Sequence, residues 1–143
     1  MISDIEEFIR YFHGQRRRTQ WLVDVLPAEK AGWRPWPGEP SPAEIICRIA
    51  AGHWMYATAT ASDRWEIDRY EEQADTWESA LHYFHFRTEA ALDVIRPLNN
   101  AVLKQKRRRP DGESTQAWRL LAAMLEHEIT HRSQISSYLM LLN

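Results

Sequence analysis

Hydrophobic residues recur at steps of three and four along four segments of the chain, with polar residues between them. This spacing puts the apolar side chains on one face of an α-helix. The first segment begins near Ser3 and ends at Pro27, because a proline disfavours helical geometry at the residue before it. The other three begin near Ser41, Asp75 and Thr115 and run to about residues 61, 95 and 142. The pattern therefore predicts four helices.

The connections between the helices differ in length and composition. Residues 28–40 are rich in proline and glycine, and we expect their tryptophans, Trp33 and Trp36, to cover one end of the core. Residues 62–74 are charged, and residues 99–113 carry the basic run Lys104–Arg109, which we interpret as a solvated loop. No convincing pair of strands is evident. The prediction is an all-α four-helix bundle forming a single domain over residues 1–143, with room for a crossover connection.

Composition and charge narrow the class of protein. The chain has 143 residues, 44% of them hydrophobic and seven of them tryptophan, which favours one folded domain. A formal net charge of −2 favours neither nucleic acid nor an anionic membrane as a partner. The sequence shows no apolar run long enough for a bilayer and no signal peptide, and its one cysteine, Cys47, excludes an internal disulfide. We expect a cytoplasmic protein.

Two histidines, His127 and His131, lie one helical turn apart on the apolar stripe of the fourth segment. Buried imidazoles need partners, and these are either a divalent metal or other polar side chains. The segment also matches the zinc-protease pattern H-E-x-x-H, with Glu128 as general base. That interpretation is disfavoured, since residues 132–143 contain no further metal-binding side chain.

The second and third helices offer further candidates. His53 and Arg48 flank the stripe of the second helix at about 140° from each other, so they cannot share one small site equally. His85, near the stripe of the third helix, could approach the histidine pair, although a surface position is the simpler expectation. In the first helix, Arg16–Arg18 is interpreted as a solvated face with one arginine turned towards the core, and a phosphate-binding role is the alternative.

The most specific motif is His127-Glu128-x-x-His131-Arg132-x-Gln134-Ile135, followed by Tyr138-Leu139. Weaker motifs accompany it, namely Arg16-x-x-Thr19-x-x-Leu22, Trp33-Arg34-Pro35 with Gly38 and Ser41, and Trp77-Glu78. Together these motifs, which cover nearly the whole chain, resemble the DinB-like (YfiT-like) four-helix bundles. The resemblance implies an up-down-down-up bundle that is commonly a homodimer.

The resemblance also implies a divalent metal, nickel or zinc, held by three histidines. Two correspond to His127 and His131, and the third lies seven residues after the capping serine, where this chain has Arg48. An arginine has no free lone pair and cannot replace a neutral imidazole. Either His53 substitutes as the third ligand, or the metal is absent and the Arg48 guanidinium takes its place beside neutral His127 and His131.

The activity implied by the resemblance is that of a metal-dependent thiol S-transferase, which uses a low-molecular-weight thiol, or of a metal-dependent hydrolase. His127, His131 and His53 are then the ligands, Glu128 orients a ligand or accepts a proton, and Arg48 binds an anionic substrate. The alternative is a non-catalytic, metal-free bundle that binds a small ligand or a protein partner. Loss of the third histidine favours this alternative.

Overall fold

The computed structural model describes all residues of the chain, 1–143, and shows four long helices with a short hairpin before the last. The helices are α1 Ile5–Val25, α2 Pro42–Ser62, α3 Trp77–Ile95 and α4 Ala117–Leu142. The hairpin pairs β1 Lys106–Arg108 with β2 Ser114–Gln116 in antiparallel register. Single 3₁₀ segments lie at Ala28–Lys30, Glu71–Ala74 and Asn100–Lys104. The all-α prediction is confirmed, and no helix is both long and apolar enough to cross a bilayer.

The first three helices begin at side-chain caps. Asp4, Ser41 and Thr76 each accept a hydrogen bond from the backbone N–H three residues further on. Each bond satisfies one of the free donors at a helix start. In α2, Pro42 adds a residue whose fixed φ suits the first helical position. The caps thus set the start of each helix within a residue or two of the sequence prediction.

The connection before α4 differs from the prediction of a wholly solvated loop without strands. Arg107 is only 9% exposed, and its Nε donates to the backbone oxygen of Thr60 at 2.8 Å. The turn of the hairpin contains Asp111, which accepts from the Glu113 N–H, and Gly112 at φ +89°. Pro-Asp-Gly is a turn signal that could have revealed the hairpin from the sequence. Because β2 occupies the predicted start of the last helix, α4 begins at Ala117.

Two hydrophobic clusters fix the directions of the helices. One joins the end of α1, the starts of α2 and α3, and the end of α4: Val23, Ala43, Ala80 and Tyr138. The other joins the start of α1, the ends of α2 and α3, and the start of α4: Phe8, Ala57, Leu92 and Leu121. Helices α1 and α4 therefore run one way and α2 and α3 the other. This is the up-down-down-up order that the resemblance implied.

Of the two tryptophans predicted to cover one end of the core, Trp33 does so and Trp36 does not. Trp33 packs edge-on against Tyr138 with ring centroids 5.3 Å apart, and the Tyr138 hydroxyl donates to the Pro40 carbonyl at 2.7 Å. Trp36 instead is 59% exposed. These contacts of Trp33 and Pro40 hold the loop after α1 against the end of α4.

Candidate functional site

A layer of polar side chains crosses the middle of the bundle between the two hydrophobic clusters. Each helix contributes one fully buried residue to it: Thr19, His53, Thr88 and Glu128. The Glu128 carboxylate accepts from the Thr19 hydroxyl at 2.6 Å and from His53 Nε2 at 2.9 Å. The other ring nitrogen of His53, Nδ1, lies 3.0 Å from the Thr88 hydroxyl. Hydrogen bonding within the layer satisfies groups that would otherwise be strongly destabilising in a dry interior.

Glu128 therefore lies deeper than expected from the stripe, which placed it one step off the buried face. Burial alone would raise the pKa of its carboxyl group, but the hydrogen bond and electrostatic interaction with His53, the Thr19 hydroxyl and the charge of Arg16 hold that pKa below its ordinary value. Of the three histidines predicted as ligands, Glu128 contacts His53 and makes no hydrogen bond to His127 or His131. It faces His53 and Thr19 and is enclosed by the helices.

Arg16 is the arginine of the basic triplet that turns inward, as predicted. Its guanidinium lies over the Phe84 ring, 4.3 Å from the centroid, and its Nη1 is buried without a hydrogen-bond partner. Burial lowers the pKa of this guanidinium, opposed by the nearby negative charge of Glu128. Arg16 thus places a cation next to the polar layer.

A small pocket of about 260 Å³ opens between α2, α4 and the loop that carries Asp68 and Tyr70. Its polar lining comes from Arg48, Tyr70, Asp68, His127 and His131. Arg48 Nε donates to the Tyr70 hydroxyl at 2.7 Å, and an Arg48 terminal nitrogen lies 3.9 Å from a Glu44 carboxylate oxygen. The guanidinium is consequently held at the pocket wall between a phenol and a carboxylate.

His127 packs directly on the backbone of α2 at Gly52. A Cβ placed on Gly52 would overlap Cε1 and Nδ1 of the imidazole, so the absent side chain is what admits the ring. Nδ1 of His127 is buried and has no hydrogen-bond partner. Burial, with smaller contributions from His131 and His53, lowers the pKa of His127 to about 4. The ring is therefore neutral at physiological pH.

His131 stands next to His127 in an edge-to-face arrangement with ring centroids 4.5 Å apart. Its Nδ1 lies 2.7 Å from Gln134 Oε1, which can only accept, so Nδ1 carries the proton. Burial and the charge of Arg48 lower the pKa of His131, while the hydrogen bond to Gln134 opposes them. Two neutral imidazoles and one fixed guanidinium thus line the pocket, together with the Asp68 carboxylate, which is paired with Arg87.

These residues do not fit the three-histidine metal site that the resemblance implied. Arg48 lies in the pocket with His127 and His131, but His53 does not, and both of its ring nitrogens are engaged by Glu128 and Thr88. No group of three or more His, Cys, Asp or Glu side chains that could hold a metal ion is present. The prediction that His53 substitutes as third ligand is therefore not supported by the geometry.

Two other candidates lie outside the pocket. His85 is exposed and packs against Phe84 on the surface of α3, away from the histidine pair. Cys47 is buried in the hydrophobic core, and burial raises the pKa of its thiol to about 12, which leaves no thiolate for catalysis.

Thr19 and Thr88 lie on the apolar stripes of α1 and α3, and their roles were not predicted; Gly52, on the stripe of α2, is the residue whose sequence position favours close approach of a neighbouring helix. Thr19 and Thr88 complete the polar layer, and Gly52 admits His127. A polar residue or a glycine within an apolar stripe was the available signal, since each breaks the pattern of the face it occupies. Tyr70, which fixes Arg48, carried no such signal in its charged loop.

The fold and the site define a four-helix bundle with a polar cross-layer and a histidine-arginine pocket. Residues 11–135 match the model of the DinB superfamily, so the chain belongs to that superfamily.

Two solved structures share this fold. A DinB-like protein from Bacillus subtilis superimposes with a TM-score of 0.78 at 16% identity, covering 95% of this chain and 91% of that one. A DinB-like protein from Bacillus cereus ATCC 10987 superimposes with a TM-score of 0.81 at 17% identity, covering 96% and 91%. A comparison with curated proteins gives no match. At these identities the similarity concerns the fold alone.

Proposed function

We propose that this protein is a metal-free member of the superfamily that binds a small anionic ligand in the pocket between α2 and α4. The observation that carries the proposal is Arg48, a fixed guanidinium at the position where the resemblance implies the third histidine. A permanent cation beside two neutral imidazoles suits an anion and opposes a second cation, because Asp68, the carboxylate of the lining, is already paired with Arg87. The proposed anion would therefore bind where the resemblance implies a metal ion.

The pocket also limits the size and chemistry of the ligand. Its volume of about 260 Å³ lies at the small end of ligand sites. Arg48 retains terminal N–H donors after bonding Tyr70, and guanidinium groups bind carboxylates and phosphates through paired hydrogen bonds. A short carboxylic acid or a phosphate group is the ligand class that these features favour.

A second candidate is the metal-dependent thiol transferase or hydrolase implied by the resemblance, with His127 and His131 as ligands. The observation that favours it is the free Nδ1 of His127 close to a second imidazole. This candidate needs its remaining ligands from outside the protein, such as a low-molecular-weight thiol, since Arg48 cannot coordinate.

Binding of acetate, succinate and inorganic phosphate, measured by calorimetry and by thermal shift, tests the proposal. Arg48→Gln should weaken binding of the preferred anion about 10- to 100-fold, because it removes a charged hydrogen-bond donor. Gly52→Ala should also weaken it, because the new methyl group displaces His127 without changing the charge of the pocket. Arg64→Gln, an equal charge change at an exposed position outside the pocket, is the matched control and should bind as the parent does.

Metal content separates the two candidates. Protein purified without a histidine tag should contain metal far below one equivalent per chain, and His127→Ala should leave that value unchanged. About one equivalent per chain, lost in His127→Ala, would reject the proposal and support the metal-dependent candidate. Unaltered anion binding by Arg48→Gln would reject it as well.

A further inference from the structure

A second and larger concavity lies between α1 and α4, outside the pocket discussed above. We call it the arginine groove. Its volume is about 730 Å³, within the usual range of small-molecule sites. Gly14 lies in the middle of its α1 wall, where a Cβ would meet only the Arg17 terminal nitrogen at 3.8 Å, so no side chain fills the centre. The groove is large enough for a ligand that the α2–α4 pocket could not hold.

The charge of the groove is strongly one-sided. Four arginines line it, Arg10, Arg17, Arg18 and Arg132, and no carboxylate does. None of the four takes part in an ion pair, although the chain as a whole has a formal net charge of −2. Converging guanidinium groups without counter-ions raise the local concentration of anions and bind phosphate oxygens well.

The Arg132 side chain is held in place by hydrogen bonds to α1. One of its terminal nitrogens donates to the Gln15 carbonyl at 3.1 Å and to the Gln15 side-chain oxygen at 2.9 Å. Gln15 is itself buried, which fixes this arginine at the boundary of α1 and α4. The groove therefore has one pre-oriented cation together with the exposed arginines of α1.

Aromatic side chains complete the wall. Trp21 is 65% exposed and Tyr11 is 56% exposed, both on α1 and both lining the groove. Exposed indole and phenol faces beside arginines offer stacking surfaces for a planar ring. Phosphate and a planar base are two of the three parts of a nucleotide, and a sugar joins them.

A nucleic-acid polymer is a poorer fit than a single nucleotide. In the other basic segment, Arg108 and Arg109 pair with Asp63 and Asp111 and Arg107 of β1 is buried, so only Lys104 and Lys106 remain as exposed, unpaired cations. Polymer binding depends on many phosphate contacts along the strand, and the adjoining concavity, which shares Arg17, contains the carboxylate Glu89. The positive region has the extent of one small ligand.

We infer that the arginine groove binds a phosphorylated ligand with a planar ring, of the nucleotide class, through its unpaired arginines and Trp21. This inference is independent of the anion proposed for the α2–α4 pocket. Calorimetry at physiological ionic strength tests it by measuring the binding of four ligands: ATP, inorganic pyrophosphate, adenosine and a 20-nucleotide single-stranded DNA. ATP should bind more tightly than pyrophosphate or adenosine, and no less tightly per site than the DNA.

Substitutions of groove residues test whether ATP binds in the groove. Arg17→Gln with Arg18→Gln should weaken ATP and pyrophosphate binding about 10- to 100-fold. Trp21→Leu, which keeps an apolar side chain, should weaken ATP about tenfold and leave pyrophosphate unchanged. The matched control is Arg64→Gln with Arg69→Gln, an equal charge change at exposed residues outside the groove, and it should bind as the parent does.

Each of the following results would contradict the inference. The first is ATP binding weaker than millimolar. The second is an equal loss in the control pair, which would indicate a general charge effect. The third is DNA binding tighter than ATP, which would indicate a polymer. Retained ATP affinity in Trp21→Leu would contradict the stacking role, and retained affinity in the groove arginine pair would place the site elsewhere.

Discussion

At the scale of single residues, the bundle depends on a buried carboxylate that meets its partners across three helices. Glu128 on α4 accepts from Thr19 on α1 and from His53 on α2. A buried charge without such partners is strongly destabilising, whereas a fully bonded one specifies how the helices align. The layer therefore gives His53 a structural role, and the pocket is left with His127, His131 and Arg48.

Removal of the Glu128 side chain should destabilise the protein more than any surface change on the same helix. Glu128→Ala leaves His53 Nε2 unpaired in the interior and the Thr19 hydroxyl with only the Gln15 carbonyl as acceptor, and should lower the free energy of unfolding by about 3–5 kcal/mol. Glu128→Gln keeps the shape and one acceptor and should lower it less. Urea unfolding measures both.

The control for this series is Glu126→Ala, which removes an exposed carboxylate two residues away and should change stability by less than about 0.5 kcal/mol. Equal effects at positions 126 and 128 would contradict the structural role of the polar layer.

At the scale of elements, α2 is the helix that both regions share. Consecutive residues of α2, Gly52 and His53, serve different purposes, because successive residues of a helix point about 100° apart. Gly52 receives the His127 ring, while His53 reaches the polar layer. The end of α2 is in turn held by the hairpin, through Arg107 and the Thr60 carbonyl.

The hairpin contact gives an element-scale prediction. Arg107→Ala removes hydrogen bonds to the backbone oxygens of Thr60 and Lys106 and should lower the free energy of unfolding by about 1.5–3 kcal/mol. Arg108→Ala, next to it but exposed, should change stability by less than about 1 kcal/mol. Thermal unfolding measures the difference, and equal effects would mean that the basic run is a solvated loop after all.

At the scale of the whole molecule, two hydrophobic clusters stabilise the ends of the bundle and a polar layer joins them. Near the middle of the bundle, His127 and His131 are held neutral and Glu128 is held ionised at neutral pH. The folded-state pKa values of His127 and His131 lie below the ordinary value of histidine, and that of Glu128 lies below the ordinary value of a carboxyl group. In each case the unfolded chain takes up protons first as the pH falls.

Stability should therefore decrease on acidification. The pKa of His127 is about 4 in the folded state and has its ordinary value in the unfolded chain. Between these two pH values the unfolded chain binds more protons, so a fall in pH favours unfolding. We expect a loss of about 1–2 kcal/mol between pH 7 and pH 5 from the histidine pair, allowing for its partial exposure to solvent. Glu128 should add to the loss below the ordinary pKa of a carboxyl group. Urea unfolding at a series of pH values measures the slope.

The histidine contribution has its own control. His127→Gln with His131→Gln should flatten the slope between pH 7 and pH 5, while His82→Gln, on the exposed face of α3, should leave it unchanged. A slope that is the same in all three proteins would show that the acid sensitivity has another origin.

The sequence by itself determined the four helices, their starts to within a residue or two and the family, because local spacing, capping residues and motifs act over a few positions at a time. It also identified the pair His127 and His131 and the departure at Arg48. Only the tertiary structure decided what each candidate faces. Helices pack through rotations and offsets that local spacing does not encode, so His53 met Glu128 rather than the histidine pair, and the arginines of α1 met Arg132 across a groove.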